Sequence, residues 1–316
     1  MKPPKISVVL ATYNASHLLR YALGSLQHQT LEDWEAVVVG DCCTDDTEEM
    51  IEGLGDSRIQ FHNLRENSGQ QARPNNIGVE IASGQNIAFL NHDDLFLPEH
   101  LKNALAQLDE TGAEILISPV AEIPVEQRHG IELGEIVTRL AGFSSNSKFD
   151  PRRFHVASSW VMRRTLAERV GPWRLEHETY VTPSQDWLFR AWRRRARMIC
   201  PEQASVIAIY AGERQNFYRE RQISEHEFVF REVIETQRLR PALDAALSES
   251  HAARTEKRPA AYRRGRKRGF ARWRRKLTRR LESLLMHCGV HPNIPGMILR
   301  HGGHGGYIRS IQKRTG

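Results

Sequence analysis

The chain has 316 residues, 40% of them hydrophobic, 26% charged and 8% aromatic, which excludes a wholly disordered protein and allows a sizeable core in one or two compact units. Its net charge of +7 is unevenly held: residues 251–316 carry 18 Lys/Arg against Glu256 and Glu282, a net of +16, and the preceding 250 residues a net of −9, so an acidic body bears a basic tail suited to an anionic membrane or nucleic acid. Four scattered cysteines (Cys42, Cys43, Cys200, Cys288) exclude a disulfide framework, no CxxC spacing points to zinc, and no apolar run reaches the ~18 residues of a spanning helix.

Met1 to Lys5 leads directly into an apolar run rather than a signal peptide, so a reducing, cytoplasmic compartment is expected. Ile6 to Leu10 is a continuous β-branched stretch, as expected of a strand buried on both faces. Ser16 is the expected cap of a helix whose Leu18, Leu19, Ala22, Leu23 and Leu26 share one face. Trp34 to Val39 reads as a second buried strand. Thr44 is the expected cap of a short helix with Asp45 and Asp46 in its first turn.

Arg58 to Leu64 alternates like a strand, Asn67 to Pro74 reads as a polar loop, and a helix is expected from about Pro74 to Ala82. Asn86 to Leu90 is the next strand. Pro98 opens a helix with Leu101, Leu105 and Leu108 on one face, and Glu114 to Ser118 closes the series. This alternation predicts a doubly wound, mostly parallel α/β sheet with flanking helices. Ligands of such sheets lie beyond the carboxyl ends of the strands, so Thr12-Tyr13-Asn14, Asp41-Cys42-Cys43-Thr44 and Asn91-His92-Asp93-Asp94 are expected to converge on one crevice.

From 120 to 200 the pattern is less regular. A Ser/Asn-rich loop (Ser144 to Ser147) precedes a strand at Trp160 and Val161, Gly171-Pro172-Trp173 marks a turn, and Gln185-Asp186-Trp187 leads a helix carrying Arg190, Arg193, Arg194 and Arg195. A polar helix is expected over 225–247 and a linker over 250–260. The Gly/His-rich end, His301 to Gly306, reads as a loop.

Several pieces, in order, resemble the family 2 glycosyltransferases of GT-A fold. They are V-V-L-A-T-Y-N (Val8 to Asn14), G-D-C-C-T-D-D-T (Gly40 to Thr47), N-S-G-Q-Q-A-R-P-N-N-I-G (Asn67 to Gly78), A-F-L-N-H-D-D-L-F-L-P-E (Ala88 to Glu99), G-P-W-R (Gly171 to Arg174) and S-Q-D-W (Ser184 to Trp187). The resemblance covers roughly residues 5–200 and implies transfer of a sugar from a nucleoside-diphosphate donor, expected to be UDP-linked. Asp41 follows a strand, so its carboxylate is placed to accept a base N–H, or else serves as a turn residue; in the family the matching Asp reads uracil. Thr12 and Tyr13 supply a hydroxyl and an aromatic body beside it. Arg73 is read either as neutralising diphosphate or as a solvated loop side chain.

The resemblance further implies that Asp93, with Asn91 in place of the usual first Asp, holds a Mg²⁺ or Mn²⁺ that bridges the diphosphate; hard cations favour such oxygen ligands. Asp94 either orients the sugar or caps the following helix. Asp186 occupies the family position of the general base of an inverting transfer, with Gln185 in place of the usual Glu, or else caps its helix. Trp187, with Trp160, Trp173 and Trp192, is read as core or as a sugar platform.

In the tail, Phe270, Trp273, Leu277, Leu281, Leu284 and Leu285 recur at helical spacing among Arg and Lys. Residues 262–287 are expected to form a helix at an anionic membrane surface, or one packed on the catalytic domain. Arg272-Trp273 is only a fragment of the QxxRW motif of processive synthases, so a non-processive enzyme acting on a lipid-linked or cell-envelope glycan is expected, peripheral on the inner face of the cytoplasmic membrane. The expected organisation is a GT-A domain over 1–220 (nucleotide-sugar half 1–118, acceptor half 119–220) and a basic helical extension over 221–316. Two alternatives stay open: a non-catalytic sugar-nucleotide-binding or scaffold protein, and a nucleic-acid-binding protein acting through the tail.

Overall fold

The computed structural model describes residues 2–124, 139–141, 149–151, 153–210, 224–255, 284–286, 288–292 and 294. The main sheet is built on the apolar runs: β1 (Ile6–Thr12), β2 (Trp34–Gly40), β3 (Ile59–Asn63) and β4 (Asn86–Phe89) are mutually parallel. Beyond β4 a single strand runs the other way. Here β9 (Trp160–Arg163) pairs antiparallel with both β4 and β6 (Ile115–Ile117), and β10 (Met198–Ile199) closes that edge, giving the order β10-β6-β9-β4-β1-β2-β3. This is a mixed, mostly parallel sheet.

Successive strand residues point to opposite faces, and each face has its own cover. Val8, Leu10, Ala36 and Val38 pack with Leu19 and Leu23 of α1 (Ser16–Gln27) and with Leu101, Leu105 and Leu108 of α4 (His100–Thr111). Val9, Val37 and Val39 pack on the opposite side with Ala72 of α3 (Ala72–Ile81), Leu166 of α5 (Arg164–Val170) and Trp187 and Leu188 of α6 (Pro183–Arg193). Each such fully buried aliphatic side chain contributes about 1.5–3 kcal/mol, so burial on both faces holds these strands.

A second sheet, outside the sequence expectation, has the order β5-β11-β7-β8, from β5 (Asp94–Phe96), β11 (Val206–Tyr210), β7 (Val120–Pro124) and β8 (Arg139–Ala141). Its apolar side chains Leu95, Ile123, Ile207 and Ile209 pack with Leu18, Val229, Val233 and Leu243. The last three lie on α7 (Ser224–Val229), its π-helical continuation Phe230–Glu235, and α8 (Arg240–Thr255). Residues 224–235 and 240–255 are helical, with a break at 236–239, and Val229, Val233, Leu243 and Leu247 pack against the second sheet. The Phe230 ring lies over Gly24, where an added Cβ would meet it at 2.8 Å.

Two caps differ from expectation. Ser16 is already the first residue of α1, and its N–H and hydroxyl donate to Asp45 (3.3 Å) and Asp46 (2.7 Å). The helix after Asp41, α2 (Thr47–Gly53), begins beyond Asp45 and Asp46, because Asp45 turns its carboxylate to the Thr47 N–H. The carboxylates expected in that first turn thus cap a helix thirty residues upstream in sequence.

Near the carboxyl end of the chain, His291 is buried edge-on against Phe189 of α6, at 5.0 Å between ring centres, and Arg193 covers Gly289, where a Cβ would lie 2.2 Å from Nη1. Apart from Leu284–Met286, residues 262–287 lie outside the described residues, as do Ser144–Ser147 and His301–Gly306. Among the described residues, no helix is long and apolar enough to cross a membrane.

Burial pushes the pKa of His100 down to about 3 and those of His155 and His291 down to about 4. The unfolded chain takes up these protons near pH 6.5, whereas the folded chain resists them, so stability is complete above pH ~6.5 and is lost as pH falls towards the folded values. Each buried histidine then costs up to about 1.4 kcal/mol per pH unit over that window. Urea unfolding between pH 7 and pH 5 is expected to show a shallower loss of stability in His100→Gln than in the wild type; equal slopes would refute the assignment.

Candidate active site

Because β1, β2 and β4 are parallel, their carboxyl ends bring Thr12, Asp41 and the Asn91–Asp94 turn to one edge of the sheet. Asp41 is 4% exposed, and its backbone N–H donates to the Thr12 carbonyl at 2.8 Å. Its carboxylate accepts from the Ser68 N–H (2.9 Å), the Ser68 hydroxyl (2.9 Å) and the Gly69 N–H (3.0 Å), while Asn67 donates to its carbonyl (2.9 Å). Asp41 is therefore the anchor of the Asn67–Gly69 loop, a task the sequence pattern did not reveal. Gly69 supplies the φ of +67° that this loop needs.

Asn14 and Cys42 also sit in the left-handed region, with φ of 46° and 65°. Such conformations cost about 1–3 kcal/mol each at a non-glycine residue and cluster at functional sites. Asn14 recovers part of this through its side-chain oxygen, which accepts the Thr44 N–H at 2.8 Å. The buried Thr12 hydroxyl has no hydrogen-bond partner among the described residues. Tyr13 is 53% exposed beside it, and Arg73 projects from α3 into solvent.

In the Asn91–Asp94 turn the roles separate. Asp94 is buried in β5 and accepts from Asn91 Nδ2 (2.9 Å) and from the Ser158 hydroxyl, which itself accepts the Asn91 N–H (2.9 Å). Burial, then the neighbouring Asp93 charge, raises its pKa well above the usual carboxylate range. It does not cap a helix, since α4 starts only at His100, and its side-chain hydrogen bonds are spent inward on Asn91 and Ser158. Asp93 remains half-buried. No described residue donates to its carboxylate, and its carbonyl lies 3.0 Å from Nε2 of the buried His226. Among the described residues, no three His, Cys, Asp or Glu side chains form a cage for a metal. A single available carboxylate fits a Mg²⁺ or Mn²⁺ that takes its remaining ligands from phosphate and water; Asn91 spends Nδ2 on Asp94, which leaves its side-chain oxygen as the atom it could contribute.

Asp186 lies in the first turn of α6, 8% exposed. It does not cap the helix; the Thr182 side chain does, accepting the Gln185 N–H. Asp186 Oδ2 accepts from Arg190 Nε at 2.8 Å, and Oδ1 from Arg174 Nη1 at 3.3 Å. Arg190 spends its other nitrogens on the carbonyls of Val170 (2.8 Å) and Pro172 (2.7 Å). His291 comes close enough for the Asp186 charge to act on it.

Trp187 is 2% exposed, its indole N–H donates to the Gly171 carbonyl (2.8 Å), and its ring stacks on Trp160 at 5.6 Å. This corrects the sugar-platform reading: no face of the ring is left for a ligand. Trp160 in turn meets Phe89 at the end of β4 (5.9 Å). Asn76 of α3 both accepts from the Trp173 N–H (2.8 Å) and donates to its carbonyl (2.9 Å), and Gln70 accepts the Glu176 N–H (2.9 Å). These contacts join the Asp41 side to the Asp186 side. Ser158, Asn76, Gln70, Arg190 and His291 were not among the expected site residues. Only Arg190 had a local signal, its i,i+4 spacing from Asp186.

The sequence model of glycosyl transferase family 2 matches residues 7–171, and the chain belongs to that family. It is 30% identical over 221 residues to an uncharacterized glycosyltransferase of Bacillus subtilis, YwdF, covering 67% of this chain and 77% of the relative. To the poly(ribitol-phosphate) beta-N-acetylglucosaminyltransferase TarS of Staphylococcus aureus it is 34% identical over 116 residues, 36% of this chain and 20% of that enzyme. TarS residues 1–349 in complex with UDP-GlcNAc share the fold, with a TM-score of 0.53 at 22% identity over 78% of this chain and 71% of that one. The mannosyltransferase PcManGT of Pyrobaculum calidifontis, in complex with GDP-Man and Mn²⁺, gives 0.50 at 17% identity over 79% and 70%. The chain spans 16% to 37% of the length of several curated relatives it matches.

Replacing Asp41 by Asn sets an amide N–H₂ against the Ser68 and Gly69 donors. Urea unfolding is expected to show a loss of about 1–3 kcal/mol, the cost of leaving buried polar groups unpaired, and calorimetric titration a loss of UDP affinity. Unchanged stability would mean that Asp41 does not anchor the loop.

Proposed function

We propose that the protein is an inverting, non-processive glycosyltransferase that moves a sugar from a UDP-linked donor to a hydroxyl of a cell-envelope or lipid-linked glycan. One observation carries this reading. At the carboxyl ends of β1, β2 and β4, a buried hydroxyl without a partner among the described residues (Thr12), a loop-anchoring carboxylate (Asp41) and an available carboxylate (Asp93) share one edge. The Trp187–Trp160–Phe89 stack ties Asp186 to that edge.

Thr12, Tyr13 and the Asp41–Asn67–Gly69 turn receive the nucleoside, and Arg73 lies on the side of the diphosphate. Asp93, with Asn91 beside it, would hold a divalent metal, which when bound stabilises negative charge on the leaving diphosphate. Asp186 accepts the proton of the acceptor hydroxyl. The acceptor oxygen bonds to the anomeric carbon as the carbon–oxygen bond to diphosphate breaks, and that electron pair leaves with the nucleoside diphosphate. The net charge of +16 over residues 251–316 argues for action at an anionic membrane surface, on the inner face of the cytoplasmic membrane.

A thermal-shift screen of UDP-sugars with and without Mn²⁺ tests the donor site, since a ligand of the native state raises apparent stability. A Mn²⁺-dependent shift, lost in Asp93→Ala, is expected. Asp186→Asn should keep the shift and lose turnover by about 10²-fold or more. Donor binding without turnover on any acceptor would favour a sugar-nucleotide-binding scaffold instead. Salt-sensitive binding to nucleic acid but not to anionic liposomes would favour the nucleic-acid reading of the tail.

A further inference from the structure

The surroundings of Asp186 hold more positive charge than its own carboxylate can balance. Two guanidinium groups, Arg190 and Arg174, face this one carboxylate, and Arg194, one helical turn beyond Arg190, comes close enough for its charge to act on Arg190. The buried His291 beside them carries no charge, because burial keeps its imidazole neutral down to about pH 4. Arg194 is exposed; its backbone N–H donates to the Arg190 carbonyl (3.0 Å), and its side chain makes no hydrogen bond or ion pair with a described residue. The excess is local: the chain up to residue 250 is net acidic.

The two pairs made by Asp186 are unequal. The Arg190 pair is short, within one helix, with the side chains 13% and 12% exposed, and Arg190 is pinned to two carbonyls of the Val170–Pro172 turn. The Arg174 pair is longer, at 3.3 Å, and the Arg174 side chain is 54% exposed. A pair this long, with its arginine exposed, is easily exchanged. Oδ2 is thereby committed to holding the carboxylate in place, and Oδ1 is the oxygen open to an incoming hydroxyl once Arg174 moves. Planar guanidinium groups bind phosphate and carboxylate through paired hydrogen bonds, and Arg174 uses only one of its nitrogens on Asp186.

We infer that the acceptor is an anionic glycan, whose phosphodiester or carboxylate group draws Arg174 off Asp186 Oδ1, joins Arg194 and so frees the base. Arg174 and Arg194 are then acceptor-specificity residues, and Arg190 is a positioning residue. The inference rests on Asp186 being the base.

The full chain, loaded with UDP and Mn²⁺, is titrated with fluorescent oligomers: a glycerol phosphodiester, an oligogalacturonate and a neutral dextran. One of the two anionic oligomers is expected to bind in preference to dextran, and which one does so identifies the anion. Arg174→Gln and Arg194→Gln should each weaken that binding by about tenfold, as for a lost charged hydrogen bond. Asp186→Asn should tighten it, because Arg174 is released; a merely structural pair would not produce this gain. In turnover with UDP-GlcNAc and other UDP-sugars, Arg174→Gln should raise the acceptor KM more than it lowers kcat, with partial rescue by Arg174→Lys. No preference for an anionic oligomer, or equal binding by wild type and Arg174→Gln, would overturn the inference, the latter placing the anion on the basic tail. Full turnover in Asp186→Asn would instead overturn the assignment of the base.

Discussion

The packing of Trp160 is the constraint on which the geometry of the site depends. Trp160 begins β9, the one strand of the main sheet that runs against both of its neighbours, and it is fully buried. Its ring meets Phe89 on one side and Trp187 on the other, and Trp173 adds a third contact at 5.4 Å. Phe89 stands two residues before Asn91, and Trp187 one residue after Asp186. Close-packed aromatic rings transmit position with little slack. The relative placement of the Asn91–Asp94 turn and the Asp186 carboxylate is therefore a property of the core and not of surface loops.

Polar contacts complete that connection. Ser158, two residues before Trp160, binds both Asn91 and Asp94. Asn76 grips the backbone of Trp173, next to Arg174, and Gln70 grips Glu176. Asp94 is drawn inward by this network and becomes part of the support beneath Asp93. Two adjacent carboxylates thus take opposite tasks, one structural and buried, one available to a ligand.

What was legible in the sequence follows the range of the forces involved. Strands β1, β2 and β4 were visible because strands covered on both faces must be apolar throughout, and the polar residues at their ends followed from parallel topology. The second sheet was missed. Its β5 has three residues and looked like the approach to a helix, and Val206–Tyr210, an apolar run in plain view, has partners far away in sequence. Helix caps failed where the capping group came from a distant segment, as Asp45 and Asp46 do for Ser16. Trp187 was legible as a large apolar residue at the right place, but its burial depends on Trp160 and Gly171 and not on its own helix. Asp186 was legible by position; of the two arginines that pair with it, Arg190 showed as part of a charge run at i,i+4 spacing and Arg174 as the last residue of the G-P-W-R piece.

The contact of His291 with Phe189 bears on the topology of the whole chain. The polypeptide leaves the body through α8, passes through the stretch richest in arginine, and returns to α6 one helical turn from Asp186. Both flanks of that stretch are therefore seated on the body, α8 through Leu243 and Leu247 and the later segment through His291. A single peptide-bond cut between these flanks would leave the His291 segment seated by its own packing. The two fragments would part only when that packing, and with it the neighbourhood of Asp186, gave way.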